Sequence, residues 1–187
     1  MTVAGRLIGV VGPSGVGKDT VMEAVAAARP EVRLVRRVIT RPGDAGGEAF
    51  DGVSEEAFAR RAAAGEFALH WEAHGLRYGI PRAVEGMIAE GRTALVNLSR
   101  GVLVQAQARF PRFAVLALTA APEVLAQRLA GRGRESAEEI ARRLERADRA
   151  LPPGLDRVMT VDNGGALEDT VAEVLALLDP AGTEVTE

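Results

Sequence analysis

The chain has no cysteine, which excludes disulfides and thiolate metal sites and fits a reducing, cytoplasmic setting. No apolar run approaches the roughly 20 residues that a membrane-spanning helix needs, so no membrane partner is expected. The N-terminus passes directly into an apolar strand, so no secretory signal is expected either. Strong charge of one sign is also missing. The net charge of −3 supplies no basic field, so no nucleic-acid partner is expected. Aromatic residues make up only 4%, with one Trp and one Tyr. Lysine is nearly absent: Lys18 is the only one, and the rest of the 23 basic residues are arginine.

That one lysine closes the run Gly12-Pro13-Ser14-Gly15-Val16-Gly17-Lys18. A loop that wraps phosphate in backbone amides needs a compact ammonium acting as a point charge, and a planar guanidinium is too bulky for that ring. Leu7–Val11, just before it, is a short apolar run that reads as a buried strand. Asp19–Ala28, just after it, is Ala-rich and reads as a helix. Strand, Gly-rich loop, lysine and helix together point to a nucleotide-phosphate site, where Lys18 would neutralise the β- and γ-phosphates. The motif departs from its usual form at one place. Asp19 follows the lysine where Ser or Thr is usual, and Thr20 comes one step later. A carboxylate is also a hard oxygen ligand, so Asp19 is a candidate for Mg²⁺, or else it favours the helix N-terminus electrostatically.

The 187 residues suit one α/β domain. Strands are expected at Leu7–Val11, Leu34–Ile39, Thr93–Leu98, Ala114–Thr119 and Arg157–Val161. Helices are expected at Asp19–Ala28, Arg82–Glu90, Val102–Arg109, Glu123–Ala130, Ala137–Ala150 and Leu167–Leu178. Pro81 and Pro122 stand where a first helical turn tolerates proline, and Ser136 with Glu139 forms a capping box. This rhythm implies a mainly parallel sheet flanked by helices, with ligands beyond the carboxyl ends of its strands. Thr40–Pro81 interrupts the rhythm as a long insertion, and Gly131–Ser136 as a short Arg/Gly loop. His70 and His74 share i, i+4 spacing, but they lie in a segment that reads as strand and turn with no third ligand, so packing or pocket lining is expected of them rather than metal binding.

Taken with the phosphate loop, Ile39-Thr40-Arg41-Pro42, Arg77-Tyr78-Gly79, Val96-Asn97-Leu98-Ser99-Arg100 and Gly131-Arg132-Gly133-Arg134-Glu135 make the chain resemble the guanylate kinase family over nearly its whole length. Within that family it is similar to the branch that phosphorylates ribose 1,5-bisphosphate to 5-phosphoribosyl 1-diphosphate in phosphonate breakdown. The resemblance implies a P-loop nucleoside-monophosphate-kinase-like fold. It divides the chain into a core (1–39, 82–130 and 137–179), an acceptor-binding insertion (40–81), a lid (131–136) and a disordered tail (180–187). It also implies a monomer or homodimer that takes ATP, Mg²⁺ and a small phosphorylated sugar.

Residue roles follow from the resemblance. Gly12, Pro13, Ser14, Gly15, Val16, Gly17, Lys18, Asp19 and Thr20 would hold the nucleotide phosphates, and Asp162-Asn163 would lie against the adenine, mostly through backbone, although Asn163-Gly164 reads equally well as a plain turn. Arg41 would grip the acceptor phosphate, with Tyr78, Arg100 and Arg143 as further substrate contacts. Lys18, Arg132 and Arg134 would act on the transferring group, with Arg128 beside the lid. Trp71 reads as core.

The departures from guanylate kinases concern the base. Those enzymes read guanine with a Glu, and counting back from Tyr78 that position is Leu69. They place Ser or Thr after the Tyr-Gly pair, where this chain has Ile80, and a monophosphate-binding Tyr is replaced by Phe50. Each charge-assisted hydrogen bond lost is worth roughly 1.5–3 kcal/mol. Losing two readers therefore forfeits on the order of 10²–10⁴ in base selectivity. Asn97 and Ser99 stand near the position of a metal-proximal acid, as if that carboxylate had moved to Asp19. Two other functions remain open. Leu69 and Ile80 argue against a guanylate kinase acting on GMP. Lys18 and the intact glycines argue against a non-catalytic binding domain.

Overall fold

The computed structural model describes residues 5–44, 48–133, 135–147 and 149–179. Arg134 and the expected tail, 180–187, lie outside these residues. The first strand, β1 (Arg6–Val11), is buried along its whole length, as expected of a central parallel strand covered on both faces. It lies at the middle of a five-stranded parallel sheet ordered β2 (Val32–Leu34), β7 (Thr93–Asn97), β1, β8 (Ala114–Thr119), β9 (Val158–Asp162).

Helices cover both faces. On one side α1 (Lys18–Ala28), α5 (Pro122–Gly131) and α7 (Leu167–Leu178) bury Val21, Val25, Leu125, Val174 and Leu178 against Ile8, Val10 and Leu116. On the other, α3 (Ala83–Ala89) and α4 (Leu103–Arg109) pack Val84, Leu103 and Ala106 against Leu7, Val96 and Val115. The lid region leads into α6 (Ala137–Ala147), whose Ser136–Glu139 capping box forms in both directions.

The insertion, together with Val38–Ile39 just before it, builds a second sheet, ordered β4 (Asp51–Gly52), β3 (Val38–Ile39), β6 (Leu76–Pro81), β5 (Phe67–Ala73). The single strand expected over Leu34–Ile39 is therefore two strands in two sheets. The chain leaves the main sheet after Val35, whose N–H bonds Leu95 O, and the Arg36-Arg37 doublet turns it into the second sheet. A helix absent from the sequence reading, α2 (Glu55–Ala63), lies within the insertion. Ser54 caps it by accepting from the Ala57 N–H at 3.1 Å.

Strands β5 and β6 form a tight hairpin over His74-Gly75, both at positive φ (53° and 73°), so this segment cannot be a helix that stacks the two histidines. Two expected boundaries also move. Pro81 ends β6 rather than starting a helix, and α6 stops at Ala147.

Candidate active site

The phosphate loop runs from the end of β1 into α1, with Gly17 as the helix N-cap at φ 91°. A side chain at Gly12 would strike Leu118 O at 2.7 Å, and one at Gly17 would meet Asn163 Nδ2 at 2.9 Å. Gly12 therefore requires glycine for reasons of space, and Gly17 for its backbone conformation as well. Lys18 bends back over its own loop and donates from Nζ to Gly12 O at 2.9 Å and Pro13 O at 3.4 Å. Asp19 sits half-buried in the first turn of α1, and Thr20 is exposed.

Behind the loop is a brace. Arg128 donates to Val16 O (3.2 Å) and to Asn163 O (2.7 Å). Asn163 donates from Nδ2 to Val16 O (2.7 Å), accepts from Thr170 at Oδ1 (2.8 Å), and its N–H bonds Thr119 O (2.7 Å). Asn163 is only 5% exposed and all its polar groups are engaged within the protein. It holds the loop from behind rather than presenting a free side chain to a nucleotide. Arg128, expected beside the transferring group, is likewise a positioning residue in this arrangement.

The lid side reaches the loop through α6. Arg143 donates to Ser14 Oγ at 2.9 Å and pairs with Glu135 at 2.9 Å. Arg100, at the exit of β7, donates to Arg146 O and Ala147 O, the last carbonyls of α6, at 3.4 Å each. A cation there complements the helix dipole. Arg100 also lines a cavity of about 940 Å³ under α6, together with Gly12, Pro13, Thr119 and Leu144. Arg132 is exposed just before the lid glycine, and its charge is felt at Lys18.

On the acceptor side, Arg41 lies over the Phe50 ring at 4.3 Å. Tyr78 stacks on Trp71 with centroids 5.3 Å apart, and Trp71 donates from Nε1 to Ser99 Oγ at 2.9 Å, joining the second sheet to the end of β7. Trp71 is thus half-buried against the core with its polar edge satisfied. His70 is exposed and lies at the edges of Phe58 and Phe67.

The two positions expected to read a base are core. Leu69 pairs with Ile80 across the hairpin, they are 3% and 0% exposed, and both belong to the core cluster that contains Val11, Leu98 and Val102. One residue the sequence reading passed over is prominent here. Arg37 is buried, lies 4.9 Å from the Tyr78 ring centroid, and grips Glu48 through Nε and Nη2. The signal was available, since an arginine doublet inside an expected apolar strand needs a buried partner or a reason to turn away.

Burial, helped by the charges of Arg37, Arg100 and Arg132, lowers the Lys18 pKa to about 8 despite the opposing pull of Asp19. The ammonium of the free protein is therefore lost as pH rises through about 8 rather than near 10.5. kcat/KM for ATP should fall across that window, while kcat at saturating ATP holds to higher pH because bound phosphates restore the charge. A flat kcat/KM profile up to pH ~10 would contradict this. The stability sign is opposite. The unfolded chain binds the extra proton between about pH 8 and 10.5, so this group's contribution to stability rises with pH there.

The guanylate kinase family model matches residues 4–180. Among curated relatives, the ribose 1,5-bisphosphate phosphokinase PhnN of Ruegeria sp. is 58% identical over 175 residues, covering 93% of this chain and 92% of its own. The protein of the same name from Agrobacterium fabrum is 47% identical, covering 92% and 95%. The bifunctional ribose 1,5-bisphosphokinase-thymidine phosphorylase of Cupriavidus necator is 44% identical over 95% of this chain, which spans 30% of that longer protein. Among solved structures, guanylate kinase from Anaplasma phagocytophilum superposes with a TM-score of 0.62 at 19% identity, covering 99% of this chain and 89% of that one, a likeness of fold. With its phosphate loop and second sheet in the arrangement described, the chain belongs to the guanylate kinase family.

Proposed function

We propose that this protein transfers the γ-phosphoryl group of ATP to the 1-phosphate of ribose 1,5-bisphosphate, giving 5-phosphoribosyl 1-diphosphate and ADP, within phosphonate breakdown. The observation that carries the reading is the Leu69–Ile80 pair, which fills the base-reading positions with core side chains beside an intact phosphate loop. The names of relatives that are 58% and 47% identical support it.

The acceptor phosphate is already ionised near neutral pH, so no general base is needed. The protein's task is to bring two anions into line and exclude water. Arg41 and Tyr78 take the acceptor, and Lys18 with the loop amides takes the donor phosphates. Arg132, with Arg134 beyond the described residues, neutralises the transferring group. Arg143 already bridges α6 to the loop at Ser14, so lid closure and phosphate binding share one contact. Arg100 takes the sugar phosphate by exchanging the carbonyls of α6, to which it now donates, for the ligand.

Mg²⁺ usually keeps several waters and binds through one or two carboxylates plus substrate phosphates. Asp19, half-buried next to Lys18, fits that donor set, with Asn97 and Ser99 as neutral oxygens at the end of β7. The ion would supply further charge neutralisation at the β- and γ-phosphates. The test is ADP release on adding ribose 1,5-bisphosphate, with 5-phosphoribosyl 1-diphosphate identified by phosphorus NMR. ADP release without that product would overturn the assignment.

A further inference from the structure

The mechanism above leaves two buried cations unused, and one of them, Arg6, is committed to Leu178 O. Arg37 is 6% exposed one residue before Val38, which pairs with Gly79 of β6, so it enters the second sheet beside Tyr78 and Ile80. Glu48 takes its Nε and Nη2 groups and the Tyr78 ring lies against it. Among the described residues Glu48 is its one hydrogen-bond partner, and none of them takes the Nη1 edge. A buried ion pair contributes little net stability compared with apolar residues of the same volume, so the fold alone gives small reason for a guanidinium here. A substrate does give a reason. Ribose 1,5-bisphosphate carries an anion at each end, and only one of them meets ATP. In the space that would otherwise receive a base, the far phosphate needs a cation already desolvated and already oriented.

We propose that Arg37, oriented by Glu48 and Tyr78, binds the non-reacting 5-phosphate of the acceptor and so determines specificity for a bisphosphate. A phosphate oxygen on the Nη1 edge completes the fork while Glu48 fixes its plane. The inference rests on the function proposed above, and the test separates the two. Wild type, Arg37→Met, Arg37→Lys and Arg37→Met/Glu48→Gln are assayed with ribose 1,5-bisphosphate and with ribose 1-phosphate, which lacks the far phosphate. The double variant avoids leaving Glu48 without its cation, and thermal melts accompany every assay.

With the bisphosphate, kcat/KM should fall roughly 100-fold in Arg37→Met and in the double variant, and roughly 10-fold in Arg37→Lys, with KM for ATP unchanged. With ribose 1-phosphate, all four proteins should agree within about twofold, because the interaction removed is one this acceptor never makes. An equal loss with both acceptors would make Arg37 a structural residue and overturn the inference, as would unchanged bisphosphate kinetics. Wild type that turns over ribose 1-phosphate but not the bisphosphate would overturn both readings. Wild type that turns over the bisphosphate while the variants lose activity equally on both acceptors overturns only this one.

Discussion

Lys18→Ala is expected to lower kcat/KM for ATP by roughly 10³-fold, and Lys18→Arg to recover no more than about tenfold of that loss. The reason is shape as much as charge. Nζ reaches Gly12 O and Pro13 O across a loop so tight that a β-carbon at Gly12 would lie 2.7 Å from Leu118 O. A guanidinium keeps the charge but needs a plane of space that the ring of amides does not leave. The same variants should fold normally, and Lys18→Ala should be at least as stable as wild type near neutral pH. Burial disfavours the ammonium in the free protein, so removing it relieves a cost. Steady-state kinetics with thermal melts check both halves. An Lys18→Arg enzyme working at close to the wild-type rate would contradict the geometric argument.

Leu69→Glu should have the second large effect, on stability. The residue is 3% exposed, pairs with Ile80 and belongs to the apolar cluster that holds Val11 and Leu98. Burying an unpaired ionised group costs several kcal/mol after the site relaxes. That is a large part of the about 5–15 kcal/mol by which a domain is stable. Urea unfolding should show this loss, and no activity on GMP should appear. A well-folded Leu69→Glu protein that phosphorylates GMP would mean that position 69 opens onto the ligand and is not core.

How much of this was legible in the chain differs from place to place, for physical reasons. β1, the loop and α1 were readable because a continuous apolar run, glycines at forced positions and an Ala-rich segment each point to one local structure. Leu69 and Ile80 were readable as apolar residues at polar positions. Their burial together against the core needed the hairpin register, which depends on two positive-φ residues at its tip. The break between β2 and β3 was missed because Leu34–Ile39 has strand character throughout. Only the partners of the charged doublet, Glu48 and the Tyr78 ring for Arg37 and Asp51 for Arg36, show where the chain turns. Helix α2 was overlooked although Ser54-Glu55-Glu56 before an Ala/Arg-rich run is a helix-start pattern. The brace of Arg128 and Asn163 on Val16 joins residues 112 and 147 positions away from it, a pairing that no local pattern encodes.

The central claim is that the acceptor has no base, and rival acceptors in one assay test it most directly. kcat/KM measured by coupled ADP release should favour ribose 1,5-bisphosphate over GMP by at least about 10²-fold. GMP turned over as well as the sugar bisphosphate, or better, would contradict the account.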